Sequence, residues 1–388
     1  MSFQSASRGR EMSRGNDQPP VIFAGHPFAN IGKGDEMRSA FSSYRFLDPR
    51  CRIFDVYRHA KRLDRDHISL CRGSESRDLD APVRVFHING DEVAPVLTQL
   101  ENRGLDFSAG RNVVVPAWEL PRYPAEWADE LEHFDEVWAI SRFVQESLAA
   151  AGVASVHVGQ AVEMPARPYL PRRHFAIRSS SFVFLTLLDL SSYSTRKNPE
   201  AALEMFHQLR QRHPFADMQL VVKVKSGDDD AKEWVAEALG NASPDVVFID
   251  WLLDTHETQS LIAACDCVVS LHRSEGFGRA AAEAMWLGRA VIATGWSGNL
   301  DYMNRSYPGW VGYELTDVLE GQYPFHAGQV WAEPDVDDAV RIADQMVTDA
   351  VFTRAAAAQG QEAVRRDCSF RAVGLRMLDR VNAMLEEA

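Results

Sequence analysis

The sequence lacks any apolar run long enough for a membrane-spanning helix, which excludes an integral helical membrane protein. It also lacks an excess of positive charge. Its 41 Lys and Arg residues stand against 55 Asp and Glu, and the net charge of −14 argues against general nucleic-acid binding. The five cysteines are odd in number and scattered, so no disulfide framework is expected and a reducing cytoplasm is the favoured location. Cys265 and Cys267 are too isolated for a zinc site.

Short apolar segments alternate with helical patterns along the chain, which predicts two doubly wound α/β domains that face a cleft. At 388 residues the chain is long enough for both. Three prolines in the stretch 162–173 are typical of a linker between domains. The predicted divisions are a disordered tail (1–18), an N-terminal domain (19–165), a linker (166–173), a C-terminal domain (174–369) and a last helix (370–388) that crosses back to the first domain.

The most informative stretch lies between residues 268 and 301. A short apolar strand is followed by a turn that contains Gly276 and Gly278, and then by good helix formers. The free N–H groups at such a helix start attract an anion, and the two glycines allow a phosphate to approach the backbone. Glu275 precedes the helix and Glu283 lies inside it, so both carboxylates can accept hydrogen bonds from one hydroxyl-rich ligand. The alternative is a capped helix in which Glu275 only compensates the helix dipole.

The phrase from Glu275 to Glu283 (EGFGRAAAE), with the later SGNLD that ends at Asp301, resembles the signature of glycosyltransferase family 4. The resemblance implies the GT-B fold and a retaining enzyme that uses a nucleotide-sugar donor. It implies that Glu275 contacts the transferred sugar and that Glu283 binds the ribose. The intervening turn would contact the donor through Ser274, Gly276, Phe277 and Gly278.

A pair of cations follows the strand predicted over Phe182–Leu188. Arg196 and Lys197 stand at a strand-to-helix turn, where positive charge attracts a diphosphate. The resemblance implies that Lys197 neutralises the donor diphosphate. Many relatives place a second basic residue where this chain has Ser191 and Ser192, so Arg196 and Lys223 remain alternatives for the second phosphate ligand.

The resemblance also places the nucleobase pocket around the loop after residue 249. Ile249 and Trp251 are therefore the predicted nucleobase contacts. Nothing in the sequence identifies the base.

The first predicted strand, Val21–Ala24, runs into a glycine loop before a helix that begins near Asp35, a plausible cap. The loop lacks the third glycine of the dinucleotide fingerprint, so a nicotinamide cofactor is disfavoured. The resemblance implies that this loop lines the acceptor side of the cleft through Gly25, Gly32 and Gly34.

Three more residues lie near the carboxyl ends of predicted strands, where ligands gather in parallel sheets: His87, Trp118 and Glu119. The surrounding phrases (HINGDE and AWELPRYPAEW) resemble a large subgroup of the same family. His87 is the predicted catalytic group on the acceptor side, Trp118 is suited to packing against a sugar ring, and Glu119 to binding hydroxyls. The alternatives are a structural histidine and a packed Trp-Glu pair.

The expected activity is transfer of a hexosyl unit, of mannosyl type, from a nucleotide-diphosphate sugar to a hydroxyl of a glycan or lipid-linked saccharide in polysaccharide synthesis. No Asp-x-Asp occurs among the cleft motifs, so neither a metal nor a further cofactor is expected. The rivals are a sugar-nucleotide epimerase and a catalytically silent nucleotide-sugar-binding protein. The charged segment 45–77 predicts a solvated surface, with peripheral attachment to anionic lipid as the alternative hypothesis.

Overall fold

The computed structural model describes residues 18–58, 64–189, 193–225 and 245–386. The predicted disordered tail therefore lies outside the described residues except for Gln18, and so do Ser191 and Ser192. Within the described ranges, no helix combines the length and apolar character that crossing a bilayer requires.

The first lobe is built on a six-stranded parallel sheet with the strand order β2-β1-β3-β4-β5-β6. Its strands are mostly apolar because both faces of the sheet are covered by helices. The strands are β1 (Val21–Gly25), β2 (Arg52–Asp55), β3 (Val83–Phe86), β4 (Arg111–Val114), β5 (Glu136–Ala139) and β6 (Val156–His157). The helices are α1 (Gly32–Leu47), α2 (Arg65–Cys71), α3 (Val93–Asn102), α4 (Ala125–Glu130) and α5 (Arg142–Ala150).

The second lobe repeats this plan with the strand order β12-β11-β10-β7-β8-β9, again parallel. Its strands are β7 (Phe182–Asp189), β8 (Met218–Lys225), β9 (Val246–Ile249), β10 (Cys267–Ser270), β11 (Ala290–Thr294) and β12 (Trp310–Val311). Its helices are α6 (Ser194–Lys197), α7 (Pro199–Arg212), α8 (Thr255–Ala264), α9 (Arg279–Trp286), α10 (Val336–Thr348) and α11 (Ala350–Asp367).

Two further elements leave this plan. An antiparallel hairpin, β13 (Tyr313–Asp317) and β14 (Val330–Pro334), extends from the second lobe. The last helix, α12 (Phe370–Glu386), packs against α1 of the first lobe. Two parallel six-stranded sheets with flanking helices are the two Rossmann-like halves of a GT-B fold, which confirms the predicted fold class.

The start of α1 differs from the sequence prediction. The helix begins at Gly32, with Ile31 as its N-cap, rather than near Asp35. Asp35 lies in the first turn and its carboxylate accepts a hydrogen bond from Arg38 at 2.5 Å. The glycines at 32 and 34 suggested a loop, but both lie in the first turn of the helix. A β-carbon at Gly34 would lie 2.5 Å from the Ala29 carbonyl oxygen, so glycine permits the close approach there.

Candidate active site

Two turns of the second lobe, one after β10 and one after β11, are bonded to each other. The backbone N–H of Glu275 donates to Ser297 Oγ at 2.8 Å, and the N–H of Gly298 donates to the Glu275 carbonyl at 2.9 Å. A β-carbon on Gly298 would lie 2.1 Å from the Gly276 carbonyl oxygen, so only glycine permits this approach. Gly278, the N-cap of α9, has a left-handed φ of 79°. The turn therefore presents backbone at the start of a helix, as an anion site requires.

The first lobe fixes the same turn from the other side. Ser141 Oγ, at the start of α5, donates to the Gly276 carbonyl at 2.5 Å. The carboxylate of Asp301 accepts from the backbone N–H of Arg142 at 3.1 Å. The glycine turn thus lies where the two lobes meet.

The Glu275 carboxylate is held between two cations. Lys197 Nζ donates to one oxygen, and Arg196 Nη1 lies 3.1 Å from the other. Burial raises the pKa of Glu275, but the charges of Lys197 and Arg196 outweigh it and hold the pKa well below its usual range. The structure thus brings together three predicted donor-site residues and keeps the carboxylate ionised.

Glu283 lies one helical turn into α9 and pairs with Arg279, whose Nε is 2.6 Å from Glu283 Oε1. Arg279 also approaches the Asp35 carbonyl of the first lobe, at 3.5 Å. Burial raises the pKa of Glu283, Arg279 opposes this rise, and the charge of Asp35 adds to it. Glu283 therefore lies at the junction of the lobes, on the same helix start as the glycine turn.

The two lysines of β8 have different environments. Lys223 is buried, and its amine donates to the carbonyls of Trp251, at 2.9 Å, and Val224. Burial lowers the pKa of Lys223 to about 8. Lys225 instead reaches the first lobe, where it donates to Asn30 Oδ1 at 3.2 Å, and it is close enough to Glu283 to act on it electrostatically.

Sequence reasoning selected Lys223 and missed Lys225. The available signal was position: Lys225 is the last residue of its strand, at the carboxyl end where ligands gather, whereas Lys223 lies two residues inside.

The two predicted nucleobase contacts also differ. Ile249 ends β9 and is fully buried, whereas Trp251, in the following loop, is 47% exposed. Of this pair, only Trp251 has a side chain available to a ligand.

His87 is almost fully buried in the first lobe. Its side chain is 1% exposed, and Nδ1 lies 2.9 Å from Glu36 Oε1. The same carboxylate oxygen accepts from Lys33 Nζ at 2.8 Å. Burial lowers the pKa of His87, although Glu36 opposes this. Gly25, the last residue of β1, lies next to His87. Gly32 and Gly34 lie in the first turn of α1.

Trp118 and Glu119 join the lobes. Trp118 is buried in an aromatic cluster with its Nε1 donating to the Arg122 carbonyl at 2.8 Å, so its ring faces side chains rather than an open cleft. The other rings of the cluster are those of Tyr123, Trp127, Tyr323 and Phe325. Glu119 Oε2 accepts from the hydroxyl of Tyr323 at 2.6 Å, and Oε1 lies 3.8 Å from Arg196 Nη2.

Tyr323 and Phe325 come from the loop of the β13–β14 hairpin, which sequence reasoning did not connect with the site. The aromatic residues in a loop were visible in the sequence. Their partners were not, because they lie on the other lobe, some 200 residues earlier in the chain.

Comparisons with known proteins agree with this architecture. Residues 183–314 match the family model described as glycosyl transferases group 1. A search of curated protein sequences finds no match.

Among solved structures, sucrose-phosphate synthase from Thermosynechococcus elongatus superposes with a TM-score of 0.68 at 13% identity, covering 96% of this chain and 100% of the other. HepE from Anabaena, in complex with UDP and glucose, superposes with a TM-score of 0.67 at 12% identity, covering 94% of this chain and 99% of the other. A glycosyltransferase from Rickettsia africae superposes with a TM-score of 0.66 at 14% identity, covering 95% of this chain and 99% of the other. At these identities the likeness establishes the fold, and the family model covers only residues 183–314.

Proposed function

We propose that this chain, a GT-B glycosyltransferase of group 1, is a retaining enzyme that transfers a hexosyl unit from a UDP-sugar to a hydroxyl of a glycan or lipid-linked saccharide. The observation that carries the proposal is the Glu275 carboxylate held by Lys197 and Arg196 beside the start of α9, with Glu283 on the same helix. UDP is the proposed nucleotide because HepE, which shares the fold, has been solved with UDP and UDP-glucose.

In the proposed complex, the diphosphate lies against the N–H groups of Gly276 to Gly278. Lys197 shifts from Glu275 to a phosphate oxygen, and Glu275 then accepts hydrogen bonds from the hydroxyls of the transferred sugar. Glu283 accepts hydrogen bonds from the ribose. Trp251, with its exposed ring, is the proposed contact for the base.

The reaction breaks the bond between the anomeric carbon and the phosphate oxygen and forms one to the acceptor oxygen. The acceptor hydroxyl proton leaves on the departing diphosphate. Lys197 and the backbone N–H groups stabilise the charge that develops there, and each such preorganised donor typically contributes about 3 kcal/mol.

The proposal is tested by mixing the protein with UDP-, GDP- and dTDP-hexoses and measuring release of nucleoside diphosphate. UDP-glucose is expected to be the preferred donor, and GDP-mannose tests the mannosyl alternative. Lys197→Ala should lower turnover about a hundredfold, whereas Arg341→Ala, on the exposed face of α10, should not change it. Equal turnover in Lys197→Ala and in Arg341→Ala would overturn the proposal.

We also propose that transfer needs no metal. Turnover after treatment with EDTA should equal turnover with Mg²⁺, and a loss that Mg²⁺ restores would refute this part.

A further inference from the structure

The β13–β14 hairpin and its loop, residues 313–334, form an arm that crosses from the second lobe to the first. In the loop, Gln329 exchanges two hydrogen bonds with the backbone of Arg122, at 3.1 and 2.6 Å. The ring of Phe325 packs edge-to-face on Trp127 with the centroids 5.2 Å apart. The arm is therefore anchored on both lobes.

The loop of the arm lies close to the proposed sugar site. Tyr323 donates its hydroxyl to Glu119, and its ring lies 5.9 Å from the guanidinium carbon of Arg196. Arg196 in turn bonds Glu275 at 3.1 Å. One side chain thus separates the arm from the carboxylate proposed to bind the transferred sugar.

Two exposed aromatic rings lie near Tyr323, one in contact with it and one linked to it through Trp118. Tyr193 is 47% exposed and its ring centroid is 4.7 Å from that of Tyr323. Phe325 is 39% exposed on the loop of the arm, and its ring packs against those of Trp118 and Trp127. These are large apolar surfaces at the edge of a site that is otherwise charged.

Both residues have left-handed backbone conformations, with φ values of 57° for Tyr193 and 52° for Phe325. Glycine adopts this conformation without strain, whereas residues with a β-carbon do not, and aromatic residues are rarely found there. Strained backbone of this kind concentrates at ligand sites, where the surrounding structure holds it in place. Two aromatic residues in this conformation beside one site therefore point to a use for their rings.

We propose that Tyr193 and Phe325 form a platform for the sugar rings of the acceptor. The C–H face of the sugar packs on the aromatic rings, and its hydroxyls point toward Glu119. The Glu119 carboxylate, which contacts Tyr323 of the arm, can accept hydrogen bonds from sugar hydroxyls. The platform rests on the proposed function. It places the acceptor saccharide between Glu119 of the first lobe and the two aromatic residues of the second.

The test uses the full chain, with UDP bound, and methyl α-glucopyranoside and methyl α-mannopyranoside as probes in saturation-transfer NMR. The variants are Phe325→Gly and Tyr193→Gly, because glycine removes the ring and adopts the left-handed backbone without strain. Phe215→Ala is the control, since Phe215 is 99% exposed and belongs to neither the arm nor the turn that carries Tyr193. Thermal unfolding checks that each variant folds, and Tyr193→Trp, which keeps an aromatic ring, should retain the signal.

The wild-type protein and Phe215→Ala should give equal sugar signals, and each glycine variant should lose at least about fivefold. Equal signals in the wild type, Phe215→Ala and both glycine variants, or no sugar signal from wild-type protein that binds UDP, would overturn the platform and leave the proposed function standing. Failure of the wild-type protein to bind UDP would overturn both.

Discussion

Arg279 and Glu283 form an ion pair with 2.6 Å between Nε and Oε1 in the first turns of α9. A cation at the start of a helix interacts unfavourably with the helix dipole. The Glu283 carboxylate and the nearby Asp35 carbonyl offset this unfavourable interaction of Arg279. A ribose that binds Glu283 must share the carboxylate with Arg279 or displace it. Glu283 is thus available to a ligand only through this competition.

Glu283→Gln is expected to weaken UDP binding about tenfold, because a hydrogen bond to an ionised acceptor contributes about 1.5–3 kcal/mol. Affinity for inorganic diphosphate, which has no ribose, should stay the same. Calorimetric titration with both ligands measures the difference, and Glu204→Gln, on the exposed face of α7, is the control. An equal loss for both ligands would place Glu283 at the phosphates instead.

Gly298→Ala should separate the two turns of the site. The new β-carbon would meet the Gly276 carbonyl at 2.1 Å, so the turns must move apart, at a cost of about 2–4 kcal/mol in the free energy of unfolding. Gly312→Ala is the matched control, since its nearest atom would lie at 3.6 Å. Urea unfolding measures both variants. Equal stability of the two would show that the turns are not held as closely as described.

Lys223 should make stability depend on pH in the alkaline range. Burial lowers its pKa in the folded state to about 8 from 10.5, so between these values the unfolded chain binds more protons than the folded one. Stability from this residue is therefore lowest below pH 8 and rises up to about pH 10.5, by at most about 3 kcal/mol. Urea unfolding of wild type and Lys223→Met at pH 7.5, 9 and 10.5 isolates the contribution. A difference between them that stays constant with pH would contradict it.

His87→Ala should lower stability by about 1–3 kcal/mol, because it removes one of two partners of the buried Glu36 carboxylate. Thermal unfolding of the variant measures the effect. An unchanged melting temperature together with loss of transfer would instead support the catalytic role that the sequence predicted for His87.

The alternation of strands and helices was predictable because buried parallel strands are continuous apolar runs. The exception is β2, which lies inside the charged segment 45–77 that predicted a solvated surface. The glycine turn was predictable from the apolar strand before it and the helix formers after it, whereas its ligand was inferred from the resemblance of the surrounding phrase to a family signature. The surroundings of Trp118 and His87 were not predictable, because position at a strand end does not determine which way a side chain points. Trp118 packs against rings of α4 and of the hairpin loop, and His87 lies against Glu36.

The arm was beyond sequence reasoning for another reason. Its contacts with Glu119 and Arg122 join segments about 200 residues apart, across two lobes. Neither periodicity nor spacing carries information about such pairs. The same holds for Lys225, whose partner Asn30 lies on the first lobe.

The most direct test of the central claim is a crystal structure of the chain with UDP-glucose bound. The account predicts the diphosphate against the N–H groups of Gly276 to Gly278, Lys197 on a phosphate oxygen, and the ribose hydroxyls within hydrogen-bond distance of Glu283. Donor density elsewhere on the protein, or a ribose out of reach of Glu283, would contradict it.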